Sequence, residues 1–533
     1  MGKKLKNYKN YFINLICPAF IFGSITGVLT AIVIVLYKKC ASIIIGFSES
    51  GYSFVKSNLY YAPLVLIGFI LLALLLSFLY KKAPNLKGGG IPTSIGIIRG
   101  VLPFKWFTNL VGVFFLSLTS FFVGVPLGNE GPAVQMGTLL GRASVSPLLK
   151  KHRAWSRYSM TGGACAGFSV ATGAPVSGIV FALEEAHQSF SPMIMIVAST
   201  SVMFAHITTE VLSLYFNINV RLFHQLNFPA FRIRDIWMPV VVGIFVGILA
   251  VLVLKYYKLI STFINKKLSF IPLKYKIFAI YTFTFVAGMF SFSFVSTGHH
   301  LIEDLLISSP SFVMLLAILL IRTTLTFSAN SSGITGGLFL PIMALGATSA
   351  SIVGKGLVLA GVDEKYYTLI VALGITACIS GMMKTPFTAM VFAIEALSCS
   401  GYILPVIVAS CVSYVITEML DVKSITDIAL ENTIESLYHS KEHEVYDTFV
   451  KVKSNSFAVG KQIRDILWPN NLFVLSVKSK DSQAEVDVRG SKQLKAGDVL
   501  HVRYMTYSEP DTKEELISIV GVQDYDEHID TII

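Results

Sequence analysis

Residues 174–186 are APVSGIVFALEEA and residues 385–397 are TPFTAMVFAIEAL, so the chain carries nearly the same stretch twice. At a similar offset, residues 128–132 (GNEGP) match residues 337–341 (GLFLP). An internal repeat within an apolar chain is typical of a transporter built from two homologous halves, with its substrate site where the halves meet. The repeat therefore predicts a two-fold membrane transporter.

The carboxylates of the repeat fall into two classes. Glu184 and Glu395 occupy matching positions, whereas Glu130 and Glu185 have an apolar residue at the matching position of the second half. A residue that only stabilises the fold tends to recur in both halves, whereas a residue that takes part in transport chemistry can be present in one half alone. We therefore predict structural roles for the repeated pair and functional roles for Glu130 and Glu185.

The composition predicts an α-helical polytopic membrane protein. Of the 533 residues, 53% are hydrophobic and 14% are charged, and the mean hydropathy is +0.66. Most of the chain must therefore face lipid or be buried among membrane helices. The formal net charge is +11, although residues 441–533 contain 12 Lys and Arg against 16 Asp and Glu. The positive charge thus surrounds the apolar spans, as positive-inside topology requires, and a nucleic-acid partner is not needed to explain it.

The N-terminus is predicted to be cytoplasmic. Four lysines precede the first apolar run, residues 11–37, and basic residues accumulate on the cytoplasmic side of membrane proteins. A cleaved signal peptide is the alternative, but the run is long for one. Several later apolar segments are shorter than the ~20 residues that cross a bilayer, and one is interrupted at residues 173–175 (GAP). Short, broken helices at membrane depth must be buried in protein or line a polar cavity.

Three turns rich in glycine and proline each precede an apolar helix: residues 88–92 (GGGIP), 128–132 and 336–341. Glycine lets a ligand approach the backbone, and helix N-termini offer unpaired N–H groups with a partial positive charge. The turns contain no Lys or Arg, so a small anion would bind weakly enough to be released. The alternative is that they are only tight connections between helices. The predicted anion-binding residues in these turns are Gly88, Gly89, Gly90, Ile91, Pro92, Gly128, Gly131, Gly337, Leu338, Phe339 and Leu340.

Glu130 and Glu185 are the candidate proton-handling residues. Glu130 lies inside one of the turns, so its ionised carboxylate would compete with the anion, and protonation would release it. An ionisable residue at membrane depth is costly and usually functional. Glu185 precedes polar residues 187–189 and could exchange protons with the aqueous side opposite Glu130. The alternatives are a buried carboxylate without a gating role at position 130 and a surface charge at position 185.

The sequence predicts no enzyme chemistry and no metal site. The six cysteines show no CxxC spacing, so they indicate neither disulfides nor a metal centre. His299 and His300 follow the sequence Ser-Thr-Gly at the end of an apolar run and are predicted to lie in a loop. The apolar spans contain no nucleophile–base pair, so an enzyme is the least expected class.

The character of the chain changes after residue 440. Four stretches carry the change: alternation from Tyr446, an amphipathic segment at 459–467, a strand-like segment at 472–477 and, after polar turns, the segment 494–502. This pattern predicts a small soluble α/β domain. The predicted organisation is therefore a transmembrane transport domain, residues 1–440, followed by a cytoplasmic regulatory domain, residues 441–533.

The three turns resemble the signature segments GSGIP, GREGP and GxFxP of the CLC family of chloride channels and chloride/proton exchangers. The likeness spans residues 15–435 in the right order. It implies a homodimer with one anion pathway per protomer, inverted repeats and both termini in the cytoplasm. Glu130 matches the family's external gating glutamate, and Glu185 matches the internal proton glutamate of its exchangers. The resemblance thus favours chloride/proton exchange over a passive channel.

The sequence departs from the family pattern at three positions. Gly89 replaces the serine whose hydroxyl coordinates the central anion, Asn129 replaces the basic residue of GREGP, and Thr426 stands where a pore tyrosine is expected. On that alignment Thr426 joins the predicted anion-binding residues. With fewer side-chain donors, chloride binding, anion selectivity or proton coupling would be weaker. The alternatives to an exchanger are a passive gated chloride channel, a fluoride/proton antiporter and a membrane sensor that does not transport.

Residues 441–533 resemble a TrkA-C (RCK-C) domain, on segments 459–461 (VGK) and 494–500 (LKAGDVL). Such domains dimerise, and in some bacterial transporters they bind cyclic di-AMP or other small ligands. A dimerisation module without a ligand is the alternative. The architecture implies a bacterial plasma membrane. The implied partners are chloride or fluoride, protons, lipid and a second copy of the chain, and a regulatory nucleotide is the sole cofactor considered.

Overall fold

A computed structural model of the chain describes residues 16–145, 153–188, 191–216, 219–438, 444–469, 471–479, 485–487, 489–506 and 509–521. The α-helices among these residues are α1 (Cys17–Ser57), α2 (Ala62–Lys82), α3 (Ile91–Arg99), α4 (Trp106–Val123), α5 (Glu130–Val145), α6 (Ser156–Thr172), α7 (Pro175–Phe181), α8 (Pro192–Phe216), α9 (Trp237–Thr262), α10 (Leu273–Phe290), α11 (His299–Ile307), α12 (Phe312–Ser331), α13 (Phe339–Leu359), α14 (Tyr367–Met383), α15 (Pro386–Ala396), α16 (Ile403–Met419), α17 (Ile425–Leu437) and α18 (Glu509–Val520). All but α18 precede the first β-strand.

Eight helical segments of the described chain are long and apolar enough to cross a membrane. Other helices are short and enclosed by protein: α3 has nine residues, all buried except Arg99, and α6 is buried along its whole length. Between α6 and α7 the helix breaks at Gly173, whose φ of 68° suits glycine. The prediction of a multi-pass helical membrane fold with short, broken, buried helices is confirmed.

Glycines allow α5 and α6 to touch through their backbones. A Cβ atom added at Gly137 would lie 2.1 Å from the carbonyl oxygen of Gly163, and one added at Gly141 would lie 2.1 Å from that of Ser159. Small residues let membrane helices approach closely where no hydrophobic force drives them together. This contact fixes α5, the helix that begins with Glu130, against its neighbour.

The repeated stretches form two helix ends that cap each other. A π-helix, Ala182–Ala186, continues α7 and carries Glu184, while Glu395 lies near the end of α15. Each carboxylate accepts two hydrogen bonds from backbone N–H groups in the first turn of the other helix. The donors are Phe387 (3.0 Å) and Thr388 (2.7 Å) for Glu184, and Val176 (2.9 Å) and Ser177 (2.8 Å) for Glu395. Because a carboxylate stabilises a helix N-terminus, each half holds a helix of the other half.

A four-stranded antiparallel sheet follows the membrane helices. Its strands are β1 (Glu444–Lys451), β2 (Leu472–Lys478), β3 (Glu485–Asp487) and β4 (Val499–Thr506), in the order β1-β4-β2-β3. The strands predicted from Tyr446 onward and at 472–477 are present. The segment predicted at 494–502 becomes a strand only from Val499, because Gly497 (φ 93°) turns the chain just before it. The amphipathic segment at 459–467 contains only a short 3₁₀ helix, Ile463–Asp465.

The sheet domain, residues 444–521, packs against one end of the helix bundle. The ring of Phe457 meets that of Trp155 edge-on at a centroid distance of 5.5 Å. The Tyr158 hydroxyl donates to the carbonyl oxygen of Asp465 at 2.8 Å. We call this end of the bundle the tail face and the other end the opposite face.

Candidate functional site

The three glycine-rich turns meet at the centre of the bundle. The N–H groups of Gly128 and Gly337 each donate to the carbonyl oxygen of the other at 2.8 Å, which joins the two halves by a β-bridge. A Cβ atom added at Gly131 would lie 2.5 Å from the Cα of Gly337, and one added at Gly90 would lie 3.2 Å from the Cα of Gly131. The N-termini of α3, α5 and α13 therefore converge, and their backbones touch at Gly90, Gly131 and Gly337.

The other residues predicted for the anion site lie in the same turns or at the starts of α3 and α13. They are Gly88, Gly89, Ile91, Pro92, Leu338, Phe339 and Leu340. Phe339, which matches Glu130 in the repeat, points into an aromatic cluster. Its ring meets those of Phe168 and Phe392 edge-on, at centroid distances of 5.0 and 5.4 Å. The second half thus has an apolar contact where the first half has a carboxylate.

Glu130 is fully buried at the first position of α5. Among the residues that the structure describes, no other residue donates a hydrogen bond to either carboxylate oxygen. One oxygen lies so close to Gly128 that a Cβ atom there would be 2.6 Å away. Lys38 of α1 donates to the carbonyl oxygen of Val170 at 3.1 Å. A buried carboxylate without a donor is unstable in its charged form, so this position suits a group that gains and loses a proton.

Gln135 is a site residue that the sequence reasoning missed. It is fully buried in α5, and its Oε1 accepts a hydrogen bond from the N–H of Gly90 at 2.8 Å. A Cβ atom at Gly89 would lie 2.6 Å from that oxygen, and the φ of Gly89 is 101°. The amide Nε2 has no partner within the described part of the chain. Gln135 therefore fills the space beside Gly89 and places an amide N–H donor there. In the sequence, this residue could have been noticed as an isolated amide in a helix of mostly apolar and small residues.

Glu185 is buried in the π-helix, so the alternative of a surface charge at this position is wrong. Its Oε1 accepts a hydrogen bond from the Thr426 hydroxyl, while Oε2 has no partner among the described residues. Thr426 was predicted to bind the anion, but its hydroxyl is engaged by Glu185 instead. Arg99, at the end of α3, donates to the carbonyl oxygens of Ala186 (3.2 Å) and Glu185 (3.3 Å). These two bonds hold the π-helix at the tail face.

A cavity of about 330 Å³ extends from the first turn to the end of α17. It is lined by Gly88 and Gly89 and also by Leu437, where α17 ends before the sheet domain. Two cations, Lys87 and Lys276, line it together with five amide side chains: Asn85, Asn109, Asn265, Asn330 and Asn432. Positive charge and amide donors in a cleft raise the local concentration of anions. The cavity is therefore suited to lead a small anion to the three turns.

Known proteins resemble the membrane part of the chain. The family model described as "Voltage gated chloride channel" matches residues 68–418. The H(+)/Cl(-) exchange transporter ClcA of Salmonella arizonae is 26% identical over 427 residues, which cover 78% of this chain and 88% of that protein. ClcA of Salmonella typhimurium is 26% identical over 425 residues, with coverage of 77% and 88%. The matched family model covers the repeat and all three turns.

Solved structures share the fold. A slow cyanobacterial Cl-/H+ antiporter superposes with a TM-score of 0.68 at 22% identity, covering 79% of this chain and 98% of its own. A CLC-type fluoride/proton antiporter superposes with a TM-score of 0.63 at 18% identity, with coverage of 78% and 98%. At this level of identity the likeness establishes a common helical architecture.

Proposed function

The chain belongs to the voltage gated chloride channel family, and we propose that it exchanges chloride for protons across the bacterial plasma membrane. The observation that carries the proposal is the pair Glu130 and Glu185. Both are buried carboxylates in the first half of the repeat, one at the meeting point of the three turns and one beside the tail face. The ClcA proteins that share 26% identity with the chain are named as H(+)/Cl(-) exchange transporters, which supports the same reading.

Exchange follows from competition between chloride and the Glu130 carboxylate. When ionised, the side chain occupies the positive ends of the three helices in place of an anion. When protonated, it loses that attraction and leaves, and chloride takes its place. Each cycle of release and return thus moves a proton in one direction and an anion in the other. Glu185 supplies or removes the proton on the tail side, where Arg99 holds its backbone.

Two residues offset the departures from the family pattern in this proposal. The Nε2 of Gln135 is the side-chain donor to the central anion, in place of the hydroxyl absent at Gly89. Lys38 of α1, a helix that packs against α5, provides a positive charge in place of the basic residue absent at Asn129. A charge-assisted hydrogen bond is about twice as strong as a neutral one, so one amide donor raises anion affinity appreciably.

A fluoride/proton antiporter is the second candidate, favoured by the missing hydroxyl at Gly89 and by the fold that the chain shares with a CLC-type fluoride/proton antiporter. A planar amide donor such as Gln135 can bind either halide. The difference lies in the relative flux of the two ions, which the experiment below measures directly.

Paired flux measurements on the full chain in liposomes test the proposal. A chloride gradient is expected to drive proton movement, and Glu185→Gln is expected to reduce the proton flux on the order of a hundredfold while chloride still passes. Glu49→Gln, at an exposed position of α1, serves as the control and should leave both fluxes unchanged. Chloride flux without proton movement would identify a passive channel, fluoride flux far above chloride flux would identify the second candidate, and no flux of either anion would indicate a sensor.

We further propose that residues 441–533 form a cytoplasmic TrkA-C-like domain that regulates the transport domain of residues 1–440 within a homodimer, with cyclic di-AMP as the candidate ligand. The support is a chain of contacts across the tail face. Arg157, at the start of α6, forms an ion pair with Glu515 of the tail and donates to the carbonyl oxygens of Trp468 (2.6 Å) and Arg99 (3.2 Å). Arg99 in turn holds the π-helix. A ligand that moves the tail can therefore act on the internal proton site.

Regulation is tested by adding cyclic di-AMP to the same flux assay. It is expected to change the rate of the unmodified protein and to have less effect on Glu515→Gln, because that variant loses the charge that ties the tail to Arg157. Glu444→Gln, on the exposed part of β1, is the control. An identical response in Glu515→Gln and the unmodified protein would exclude this route.

A further inference from the structure

Four side chains with metal-binding atoms converge on the opposite face of the bundle. The predicted loop at His299 and His300 is wrong: these residues begin α11, and Glu303 lies one turn further on the same helix. The Nδ1 atoms of His299 and His300 lie 3.4 and 3.8 Å from one carboxylate oxygen of Glu303. The Nδ1 of His224, from the segment after α8, lies 3.0 Å from the other oxygen. Residues three and four apart on a helix face the same way, so the geometry of α11 itself brings three of the four together.

His299 is oriented by a contact outside the cluster. Its Nε2 lies 2.6 Å from the carbonyl oxygen of Leu222, and because a carbonyl only accepts, the hydrogen must be on Nε2. The lone pair is therefore on Nδ1, the atom that faces Glu303. The Phe223 ring stacks on the imidazole with a centroid distance of 5.3 Å and an interplanar angle of 17°. Metal-binding histidines usually donate their second ring N–H to a carbonyl or carboxylate, which fixes the tautomer in the same way.

We propose that His224, His299, His300 and Glu303 form a site for one divalent cation of the zinc class. The nitrogen and oxygen atoms of all three α11 residues lie within 4.8 Å of one another. Two ligands of a tetrahedral zinc ion, each at 2.0–2.2 Å from the metal, are separated by about 3.4 Å, close to the distances found here. Three imidazoles and one carboxylate suit zinc better than calcium or magnesium, which prefer all-oxygen sites.

The site links two segments that are distant in sequence. His224 belongs to the connection between α8 and α9, whereas the other three ligands belong to α11. A bound cation would therefore hold that connection against the helix. Glu303 is largely buried, while the His224 side chain is 85% exposed, so a cation can enter from the aqueous phase and the outer histidine can turn to complete the site.

The test uses the full-length protein after chelator treatment, with cobalt and zinc ions as probes. Cobalt is expected to bind in one equivalent per chain, to give the intense visible absorption of a tetrahedral site, and to be displaced by zinc. Zinc is also expected to raise the Tm. His299→Ala and Glu303→Gln are each expected to abolish the spectrum and the shift in Tm. His300→Ala provides a variant that leaves the contact with Leu222 intact, should His299→Ala fail to fold.

The matched control is the double variant His206→Ala and Glu210→Gln, which removes another histidine–glutamate pair one helical turn apart, at 3.7 Å. It should leave the spectrum and the zinc effect unchanged. Transport measured in chelator shows whether each variant is folded. If the unmodified protein gives no tetrahedral cobalt spectrum, or if His300→Ala and Glu303→Gln bind cobalt as the unmodified protein does, the cluster is only a set of ion pairs and the proposal fails.

Discussion

The first half of the chain ends its repeated helix differently from the second half. α15 remains α-helical through Glu395 to Ala396, whereas α7 passes into a π-helix at Ala182. In the second half the carboxylate of Glu395 is fully engaged by two N–H groups. In the first half Glu184 is engaged in the same way, and its neighbour Glu185 adds a buried carboxylate that the second half lacks.

This difference distinguishes the repeated carboxylates, which hold helices together, from the added carboxylate of Glu185, for which we propose a role in proton transfer. A π-helix inserts an extra residue into a helical turn and is frequent at functional sites. Here it allows Glu184 to keep the symmetric capping contact while Glu185 points towards Thr426. The residues that obey the two-fold symmetry are satisfied by the backbone. Glu130 and Glu185, which break it, each retain a carboxylate oxygen without a partner among the described residues, which is consistent with the proton transfer proposed for them.

The largest effect is expected from Glu130→Gln. Proton flux should fall to the background of empty liposomes, because an amide cannot carry the proton, while chloride flux continues. Phe339→Leu, at the matching position of the second half, should keep proton movement coupled to chloride movement, since the phenyl ring that packs against Phe168 and Phe392 carries no proton. Simultaneous recording of chloride and pH checks both variants. Persistent proton movement in Glu130→Gln would contradict the proposal that Glu130, which has Phe339 as its counterpart in the second half, carries the proton.

Glu185→Gln should reduce proton flux on the order of a hundredfold, the usual contribution of a positioned proton-transfer group. Chloride flux should continue without coupling to pH. Thr426→Val, which removes only the hydroxyl that contacts Glu185, should reduce proton flux less. The ratio of protons to chloride ions in the flux assay is the measurement. An equal loss in both variants would mean that the hydroxyl, and not the carboxylate alone, is required.

Gln135→Met should weaken anion binding about tenfold, since it removes one hydrogen bond to a charged ligand and keeps the side-chain size. Titration calorimetry with chloride measures the Kd directly. Gln188→Met, at an exposed position beyond the π-helix, is the matched control and should not change the Kd. Unchanged affinity in Gln135→Met would mean that backbone N–H groups alone bind the anion and that the first half has no added donor.

The smallest effects are expected at the repeated pair. Glu184→Gln and Glu395→Gln should each lower the free energy of unfolding by about 1 kcal/mol, because a neutral amide is a weaker partner for a helix N-terminus than a carboxylate. The two shifts in Tm should be similar, and the proton-to-chloride ratio should not change. Strongly unequal shifts, or uncoupling in either variant, would contradict the assignment of this pair to architecture.

Periodicity and repetition predicted the helical membrane fold and its broken helices, and the change of pattern after residue 440 predicted a small α/β domain. They could not reveal contacts between residues distant in sequence. Gln135 of α5, for example, occupies the space beside Gly89 of the first turn. The hydrogen bond from Thr426 to Glu185 forms where the chain is a π-helix. A π-helix contains one extra residue in a helical turn, and residue propensities do not predict where it occurs.

The β-bridge between Gly128 and Gly337 makes each half of the chain depend on the other. Each turn supplies the hydrogen-bond partner that the backbone of the other turn requires, and membrane interiors do not tolerate such groups unpaired. One half alone would lack the partners that this bridge supplies to the N–H and carbonyl groups of its turn. Covalent linkage keeps both partners together, and it also lets the two halves differ in sequence, as they do at Glu130 and Glu185.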